Sequence, residues 1–179
     1  MRIEQVPAGQ LDPLRAAIVA CYRAAWLPTR FRPQERAVSG FQHQLETHAT
    51  RPGFRLHVAR DDSRVIGFVY GYRSEPGTYW HDLASSRLEP VARRHWLHDC
   101  FEFVELAVLP AFQGRGVGGA LHDAILEDLA FRTTCLTTYR EQETAVRLYL
   151  KRGWEVLADD FLFPGDPFPY LLMGRELAS

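Results

Sequence analysis

The feature that most constrains this chain of 179 residues is an apolar strand that leads into a glycine-rich loop and then into a helix. The strand lies in FEFVELAVLP (101–110), and the loop FQGRGVGG (112–119) follows it. Apolar residues then recur at the four-residue spacing of a helix packed on a core: Val117, Leu121, Ile125 and Leu129. A glycine-rich turn that opens a helix presents backbone N–H groups and the positive end of the helix dipole, so this unit predicts a phosphate-binding loop.

The glycine spacing is compatible with more than one phosphate ligand. Gly114, Gly116 and Gly119 match the G-x-G-x-x-G pattern of dinucleotide sites, and Glu141 follows where such sites place an acidic residue. However, residues 110–113 separate the strand from the first glycine, and the long segment before the loop leaves no room for a doubly wound nucleotide domain. A Walker loop is excluded because no Gly-Lys-Ser/Thr follows. A connection without a ligand is disfavoured, since each glycine inside a helix costs about 1 kcal/mol.

The rest of the chain predicts one mixed α/β domain over residues 1–179, in the order β-α-α-β-β-β-α-β-α-β-β. Strands are predicted in MRIEQVP, in the hairpin FRLHVARDDSRVIGFVYGYRS, and in TTCLTTY, WEVLADD and YLLMGREL. Besides the helix after the glycine loop, helices are predicted in LDPLRAAIVACYRAAW, from Pro33 to Pro52-Gly53, and from near Glu141 to Gly153. Residues 75–99 show no long periodic element and are predicted to form a functional loop rich in aromatic residues.

Charge and cysteine content exclude several classes of protein. The net charge of −1 gives no basic field for nucleic acid or an anionic membrane, and no apolar run is long enough to span a bilayer. Cys21, Cys100 and Cys135 are widely spaced and form no C-x-x-C pair, which argues against a disulfide scaffold or a zinc site. We therefore expect a soluble, cytoplasmic protein without a metal, a membrane or a nucleic-acid partner.

Two segments together resemble the GNAT superfamily of acyl-CoA-dependent N-acyltransferases. In VELAVLPAFQGRGVGGALHDAIL, a strand ends in V-x-P and residues 113–118 match the Q/R-x-x-G-x-G/A loop of that family. In ETAVRLYLKRGWEV, the residues from Ala145 to Trp154 match its A-x-x-L-Y-x-x-x-G-aromatic helix. The resemblance lies between residues 104 and 156 and points to the pyrophosphate arm of coenzyme A as the ligand of the glycine loop.

The resemblance implies an α/β (α+β) fold with a single mixed, mostly antiparallel central sheet flanked by helices. It implies transfer of an acetyl group from acetyl-CoA to a primary amine of a small molecule or peptide, by direct attack in a ternary complex. It also implies cofactor contacts from the backbone of Ala107 and Val108 and from Gln142, which stands where relatives often carry asparagine. The remaining cofactor-binding residues it implies are those of the loop: Gln113, Gly114, Arg115, Gly116, Val117, Gly118 and Gly119.

Two catalytic roles are implied in the same way. Tyr149 matches the family's tyrosine near the sulfur, where a phenol can protonate the departing thiolate; the alternative is a tyrosine that only packs on its helix. Glu105 interrupts an apolar strand, where a carboxylate is costly unless wetted or paired, and in similar proteins such a glutamate relays the substrate proton through water. The alternative to this role is that Glu105 is a solvated or salt-bridged glutamate at the surface.

Functions from other classes remain as alternatives. The main one is a non-catalytic acyl-CoA-binding module that senses the cofactor, and the presence of both Glu105 and Tyr149 favours the enzyme over it. A nucleotide-dependent oxidoreductase would bind NAD or a flavin instead. Many relatives form dimers, so a homodimer is left open by the resemblance.

Overall fold

The computed structural model describes residues 1–31 and 35–177, without the side chains of residues 36 and 37. The strands in this part of the chain are Arg2–Gln5 (β1), Arg55–Asp61 (β2), Arg64–Arg73 (β3), Cys100–Val108 (β4), Thr133–Tyr139 (β5), Glu155–Phe161 (β6) and Tyr170–Glu176 (β7). The helices are Asp12–Trp26 (α1), Glu35–Ser39 (α2), Phe41–Ala49 (α3), Tyr79–Arg87 (α4), Pro90–Leu97 (α5), Val117–Leu126 (α6) and Glu143–Leu150 (α7).

The strands form a seven-stranded sheet in the order β1-β2-β3-β4-β5-β7-β6. β4 and β5 run parallel, with Cys100 opposite Thr133. The pairs β1–β2, β2–β3, β5–β7 and β6–β7 are antiparallel. The predicted mixed, mostly antiparallel sheet flanked by helices is therefore confirmed.

Residues 1–72 and 104–129 form one of two compact units of the chain. In it the predicted hairpin is present: β2 and β3 are joined at Asp62, whose φ of 51° lies in the left-handed region that aspartate tolerates in tight turns. α1 carries Pro13 in its first turn and turns one apolar face inward, with Ile18, Tyr22 and Trp26 all less than a tenth exposed. Tyr22 stacks on Phe41 of α3 with ring centroids 3.8 Å apart, which fixes one helix against the other.

Within the same unit, α6 packs close to the sheet. A Cβ atom on Gly67 of β3 would lie 3.0 Å from both the Ala107 carbonyl oxygen and Leu121 Cδ1, so a larger residue would have to displace one of them. The Arg55 guanidinium donates to the carbonyl oxygens of Ile125 at 3.3 Å and Glu127 at 2.6 Å, at the negative end of the helix dipole. α6 ends at Leu126, so Leu129 lies beyond the helix that its spacing had predicted.

Residues 73–103 and 130–177 belong to the second compact unit. Here β5 is paired along its whole length with β7, from Thr133 opposite Glu176 to Tyr139 opposite Tyr170. Trp96 of α5 packs on β7 so closely that a Cβ atom on Gly174 would lie 2.7 Å from its ring. The Thr133 hydroxyl donates to the Trp96 carbonyl oxygen at 2.8 Å and holds the end of α5 to β5.

The prediction for residues 75–99 is wrong, because this stretch contains helices α4 and α5. Both are short, with nine and eight residues, so neither offers enough turns for a clear apolar period. Pro90 occupies the first turn of α5 and was the local start signal that the sequence offered. α7 begins at Glu143, two residues later than expected, and the predicted helix start at Pro33 lies outside the described residues.

The three cysteines are buried and none of them is in a disulfide. Burial raises the pKa of the Cys21 thiol to about 12, so this thiol stays protonated near neutral pH. Among the described residues, no helix has the length and apolar character needed to cross a bilayer. The single-domain organisation expected from the length stays a prediction.

Candidate active site

The glycine loop owes its glycines to its backbone conformation. Gly114 has a φ of 72° and Gly116 a φ of 83°, both in the left-handed region that strains residues with a side chain. A Cβ atom at either position would meet nothing within 4 Å, so the surrounding space does not require glycine. The two glycines bend the chain between β4 and α6 and leave the space beside the loop open.

The N-terminus of α6 has the form of an anion-binding site. Gly116 is the N-cap, and no side chain caps the helix there. The first backbone bond of the helix runs from Ala120 N–H to the Gly116 carbonyl oxygen at 3.0 Å, so the N–H groups of residues 117–119 precede it. Such N–H groups, at the positive end of a ten-residue helix, fit the phosphate oxygens of a pyrophosphate.

Contacts to β4 and to the loop's own side chains hold the loop in place. The Gln113 side-chain amide donates to the Val108 carbonyl oxygen at 2.9 Å, and Phe112 N–H donates to the Leu109 carbonyl oxygen at 2.8 Å. The guanidinium of Arg115 lies 5.5 Å and that of Arg64 5.9 Å from the centre of the Phe112 ring. Arg115, the residue before the N-cap, therefore puts a positive charge next to the start of α6, where it favours an anion.

Glu105 lies on β4 in the same unit as the loop and is half-buried. Its Oε1 atom accepts a hydrogen bond of 3.0 Å from the indole N–H of Trp26, the last residue of α1. This bond ties the carboxylate on β4 to the end of α1. Ala107 and Val108, two and three residues further along β4, are buried; the role predicted for their backbone stays a prediction.

Gln142 and Tyr149 belong to the second unit. Gln142 is the N-cap of α7, and its carbonyl oxygen accepts from the N–H groups of Ala145 at 3.0 Å and Val146 at 3.1 Å. Its side chain forms no capping bond. Tyr149 lies seven positions further along the chain, near the end of α7.

The spacing of Tyr149, Gly153 and Trp154 is explained by the way in which α7 ends. The N–H of Trp154 donates to the Tyr149 carbonyl oxygen at 3.2 Å, and that of Gly153 donates to the Leu150 carbonyl oxygen at 3.2 Å. With Gly153 at a φ of 78°, these two bonds form a Schellman motif. The turn brings Trp154 back onto Tyr149, with ring centroids 5.5 Å apart, and Phe103 contacts the tyrosine ring at 5.9 Å. Tyr149 is therefore buried in a fixed position, only 6% exposed.

The structure thus places the predicted residues in two sets. Glu105, Ala107, Val108 and loop residues 113–119 lie in the first unit, and Gln142 and Tyr149 lie in the second. Sequence reasoning missed Trp26, which contacts the predicted base. No local signal could have found it, because 79 residues separate Trp26 from Glu105.

Comparison with known proteins identifies a family. The sequence model of the acetyltransferase (GNAT) domain matches residues 52–156. The chain is 34% identical over 122 residues to the GCN5-like protein acetyltransferase Rv2170 of Mycobacterium tuberculosis (strain ATCC 25618 / H37Rv). That match covers 63% of this chain and 59% of the relative, so it spans less than two thirds of the relative's length.

Solved structures share the fold along nearly the whole chain. The structure of yncA from Salmonella typhimurium, with its cofactor acetyl-CoA, has a TM-score of 0.70 at 18% identity and covers 100% of this chain and 95% of its own. Ribosomal-protein-alanine N-acetyltransferase from Brucella melitensis has a TM-score of 0.67 at 17% identity and covers 99% of this chain and 100% of its own. At such identities these structures show the fold alone.

Proposed function

The chain belongs to the acetyltransferase (GNAT) family, and on that premise we propose that it transfers an acetyl group from acetyl-CoA to a primary amine by direct attack in a ternary complex. The observation that carries the proposal is the N-terminus of α6, which has no side-chain cap and is preceded by two glycines with positive φ. This arrangement suits a pyrophosphate. The structure of yncA, a protein of the same fold, contains acetyl-CoA as its cofactor, and this also supports the proposal.

Acetyl-CoA supplies an acetyl group activated as a thioester. The backbone N–H groups of loop residues 113–119 hold its pyrophosphate, and Arg115 adds positive charge beside them. The backbone of Ala107 and Val108 binds the thioester end, and Gln142 contributes its side-chain amide.

Glu105 is the proposed general base. An amine attacks only in its neutral form, so the ammonium that predominates near pH 7 must lose a proton first. Glu105 takes this proton through an ordered water. Its hydrogen bond from Trp26 fixes one carboxylate oxygen and leaves the other oxygen as the acceptor.

Tyr149 is the proposed general acid. As the amine nitrogen bonds to the acyl carbon and the carbon–sulfur bond breaks, the phenol donates a proton to the sulfur and neutralises the leaving thiolate. The Schellman motif and the rings of Phe103 and Trp154 hold the tyrosine in one orientation, and such fixed positioning reduces the cost of reaching the transition state.

The acceptor is a primary amine on a small molecule or a peptide. One relative in sequence is a protein acetyltransferase, which supports a protein amine as one of these acceptors. Three buried thiols outside disulfides suit the reducing cytoplasm, where we expect the protein to act. A homodimer remains a prediction that size-exclusion chromatography with light scattering would test.

The first experiment is a thermal shift assay with acetyl-CoA, CoA, longer acyl-CoAs, NAD and ATP. A ligand at a hundredfold excess over its Kd stabilises the folded state by about 2.7 kcal/mol. We expect shifts with acetyl-CoA and CoA but none with NAD. A shift with NAD alone would refute the assignment of the loop to coenzyme A.

The second experiment measures thiol release from acetyl-CoA with a panel of amines: lysine peptides, peptides with an N-terminal alanine, polyamines and aminoglycosides. We expect turnover with at least one amine and a fall of roughly 100-fold or more in Glu105→Gln, whose binding of acetyl-CoA stays unchanged. Binding of acetyl-CoA without turnover on any amine would favour the non-catalytic module. Undiminished turnover in Glu105→Gln would refute the role of this residue alone.

A further inference from the structure

A hydrogen bond joins the last residue of α1 to the carboxylate of Glu105 on β4. The donor is the indole N–H of Trp26 and the acceptor is Glu105 Oε1, with 3.0 Å between nitrogen and oxygen. The indole is 8% exposed, so water competes little for its N–H. A hydrogen bond to an ionised group in such surroundings is stronger and more directional than one at the surface.

Trp26 is held both at its ring and at its backbone. Its ring contacts Tyr22, one helical turn earlier, with centroids 6.3 Å apart, and Tyr22 is stacked on Phe41. The backbone is also fixed, because Thr29 donates both its N–H at 2.9 Å and its hydroxyl at 2.7 Å to the Trp26 carbonyl oxygen. The N–H of Trp26 therefore points in a direction that packing determines, and the carboxylate must adapt to it.

We propose that Trp26 is a positioning residue that holds the Glu105 carboxylate in the orientation needed to accept the substrate proton. This inference rests on the proposed role of Glu105 as the base. Without the indole N–H the carboxylate loses the contact that fixes this orientation, so a smaller share of its orientations suits proton transfer. Trp26 does not itself touch the reacting atoms in this scheme.

The kinetic test compares Trp26→Phe with a matched control. Phenylalanine keeps a large buried ring but lacks the N–H donor. Trp80→Phe is the control, because Trp80 is 9% exposed and its indole N–H also crosses from a helix to a strand, donating to the Thr137 hydroxyl at 3.3 Å. We expect kcat to fall roughly 10- to 100-fold in Trp26→Phe, the range that one hydrogen bond to a charged group contributes. The KM for acetyl-CoA should change less than about twofold, and Trp80→Phe should leave kcat near that of the wild type.

A double variant separates positioning from general destabilisation. If Trp26 acts through Glu105, then Trp26→Phe should slow the wild type but add almost no further loss to Glu105→Gln. Equal losses in both backgrounds would overturn the inference. If Trp26→Phe keeps the wild-type kcat while Glu105→Gln is slowed, the inference also fails but the base role stands. If Glu105→Gln itself keeps the wild-type rate, the base role fails instead.

A spectroscopic test does not depend on an acceptor or on the stability of Trp26→Phe. The chain has four tryptophans, so a ¹H–¹⁵N spectrum should contain four indole N–H signals, which single Trp→Phe variants assign. Replacing the charged acceptor by a neutral amide in Glu105→Gln should move the Trp26 indole proton signal and leave that of Trp80 in place. A Trp26 signal that does not respond to Glu105→Gln would overturn the proposal, whatever the kinetics show.

Discussion

Gly116 offers the sharpest test of the phosphate loop, because a control with almost the same backbone exists in this chain. Gly116 has a φ of 83° and Gly77 a φ of 87°, and a Cβ atom at either would meet nothing within 4 Å. Alanine therefore adds strain from φ alone, about 1–2 kcal/mol at each site. For a chain of this size that lowers Tm by about 2–4 °C per kcal/mol. The two variants should lose similar stability.

Only Gly116→Ala should weaken the binding of acetyl-CoA. Its new methyl group stands at the N-cap of α6, beside the N–H groups proposed to bind the pyrophosphate. The N–H of Gly77 instead donates to Asp82 at 2.9 Å. The methyl group is expected to keep a phosphate oxygen out of reach of one N–H, and losing one charge-assisted hydrogen bond weakens binding by about 1.5–3 kcal/mol, or roughly 10- to 100-fold in Kd. At a concentration that stabilises the wild type by about 2.7 kcal/mol, Gly116→Ala should then gain about 1.4 kcal/mol or less.

The assay is thermal or chemical denaturation of wild type, Gly116→Ala and Gly77→Ala, each with and without acetyl-CoA. For each protein, the free energy of unfolding with acetyl-CoA minus that without it measures binding alone, because the backbone strain of the substitution is present in both states and cancels. An acetyl-CoA stabilisation of Gly116→Ala equal to that of the wild type would refute the assignment of the pyrophosphate to this loop. Equal weakening in Gly77→Ala would show that the loss is general and not local.

Three further predictions follow from single contacts. In Tyr149→Phe the rings of Phe103 and Trp154 keep their partner, so the packing at the end of α7 and acetyl-CoA binding should hold while thiol release slows roughly 100-fold or more. Gln113→Ala loses the hydrogen bond to the Val108 carbonyl oxygen, worth about 0.5–1.5 kcal/mol, and should raise the KM for acetyl-CoA about 2- to 10-fold. Burial, with a smaller contribution from the charge of Arg55, lowers the pKa of His57 to about 4. An unfolded histidine titrates near about 6.5, so between these values the unfolded chain binds the extra proton, and the free energy of unfolding should fall as pH falls, by up to about 1.4 kcal/mol per pH unit.

Each of these predictions has a control in the chain. Tyr79→Phe removes the hydroxyl of a tyrosine that is 63% exposed and should leave thiol release unchanged. Gln42→Ala removes an exposed side-chain amide hydrogen-bonded to Glu46 at 3.1 Å and should not alter the KM. The pH prediction is checked by measuring the free energy of unfolding between pH 4 and 7. It should change less with pH in His57→Gln than in the wild type, whereas replacing the exposed His98 in His98→Gln should leave the wild-type dependence on pH. If His57→Gln keeps the wild-type dependence of unfolding free energy on pH, His57 is not the group responsible for it.

Local signals made a large part of the site predictable from the sequence. The glycines at 114 and 116 are needed for φ values that other residues avoid, and this requirement can be read from the residue type alone. The spacing of Tyr149, Gly153 and Trp154 likewise encodes a helix end, because all bonds of a Schellman motif lie within six residues. The hairpin at Asp62 and the strands of the sheet were predicted for the same reason.

Other features depend on contacts between distant residues. Helices α4 and α5 were missed since nine and eight residues carry too few turns for a clear period, and their stability comes from packing such as that of Trp96 on Gly174. The order of the strands could not be derived from spacing, because pairing joins segments far apart in the sequence.

What the sequence determined by itself is therefore the loop, the end of α7 at Gly153 and the identity of the chemical groups, since each depends on a few neighbouring residues. What only the tertiary structure decided is how one of those groups is oriented. Glu105 is visible in the sequence as a carboxylate in an apolar strand, but its hydrogen bond to Trp26 spans 79 residues. The direction of that N–H is set by packing of α1 on α3, and no local pattern of residues carries this information.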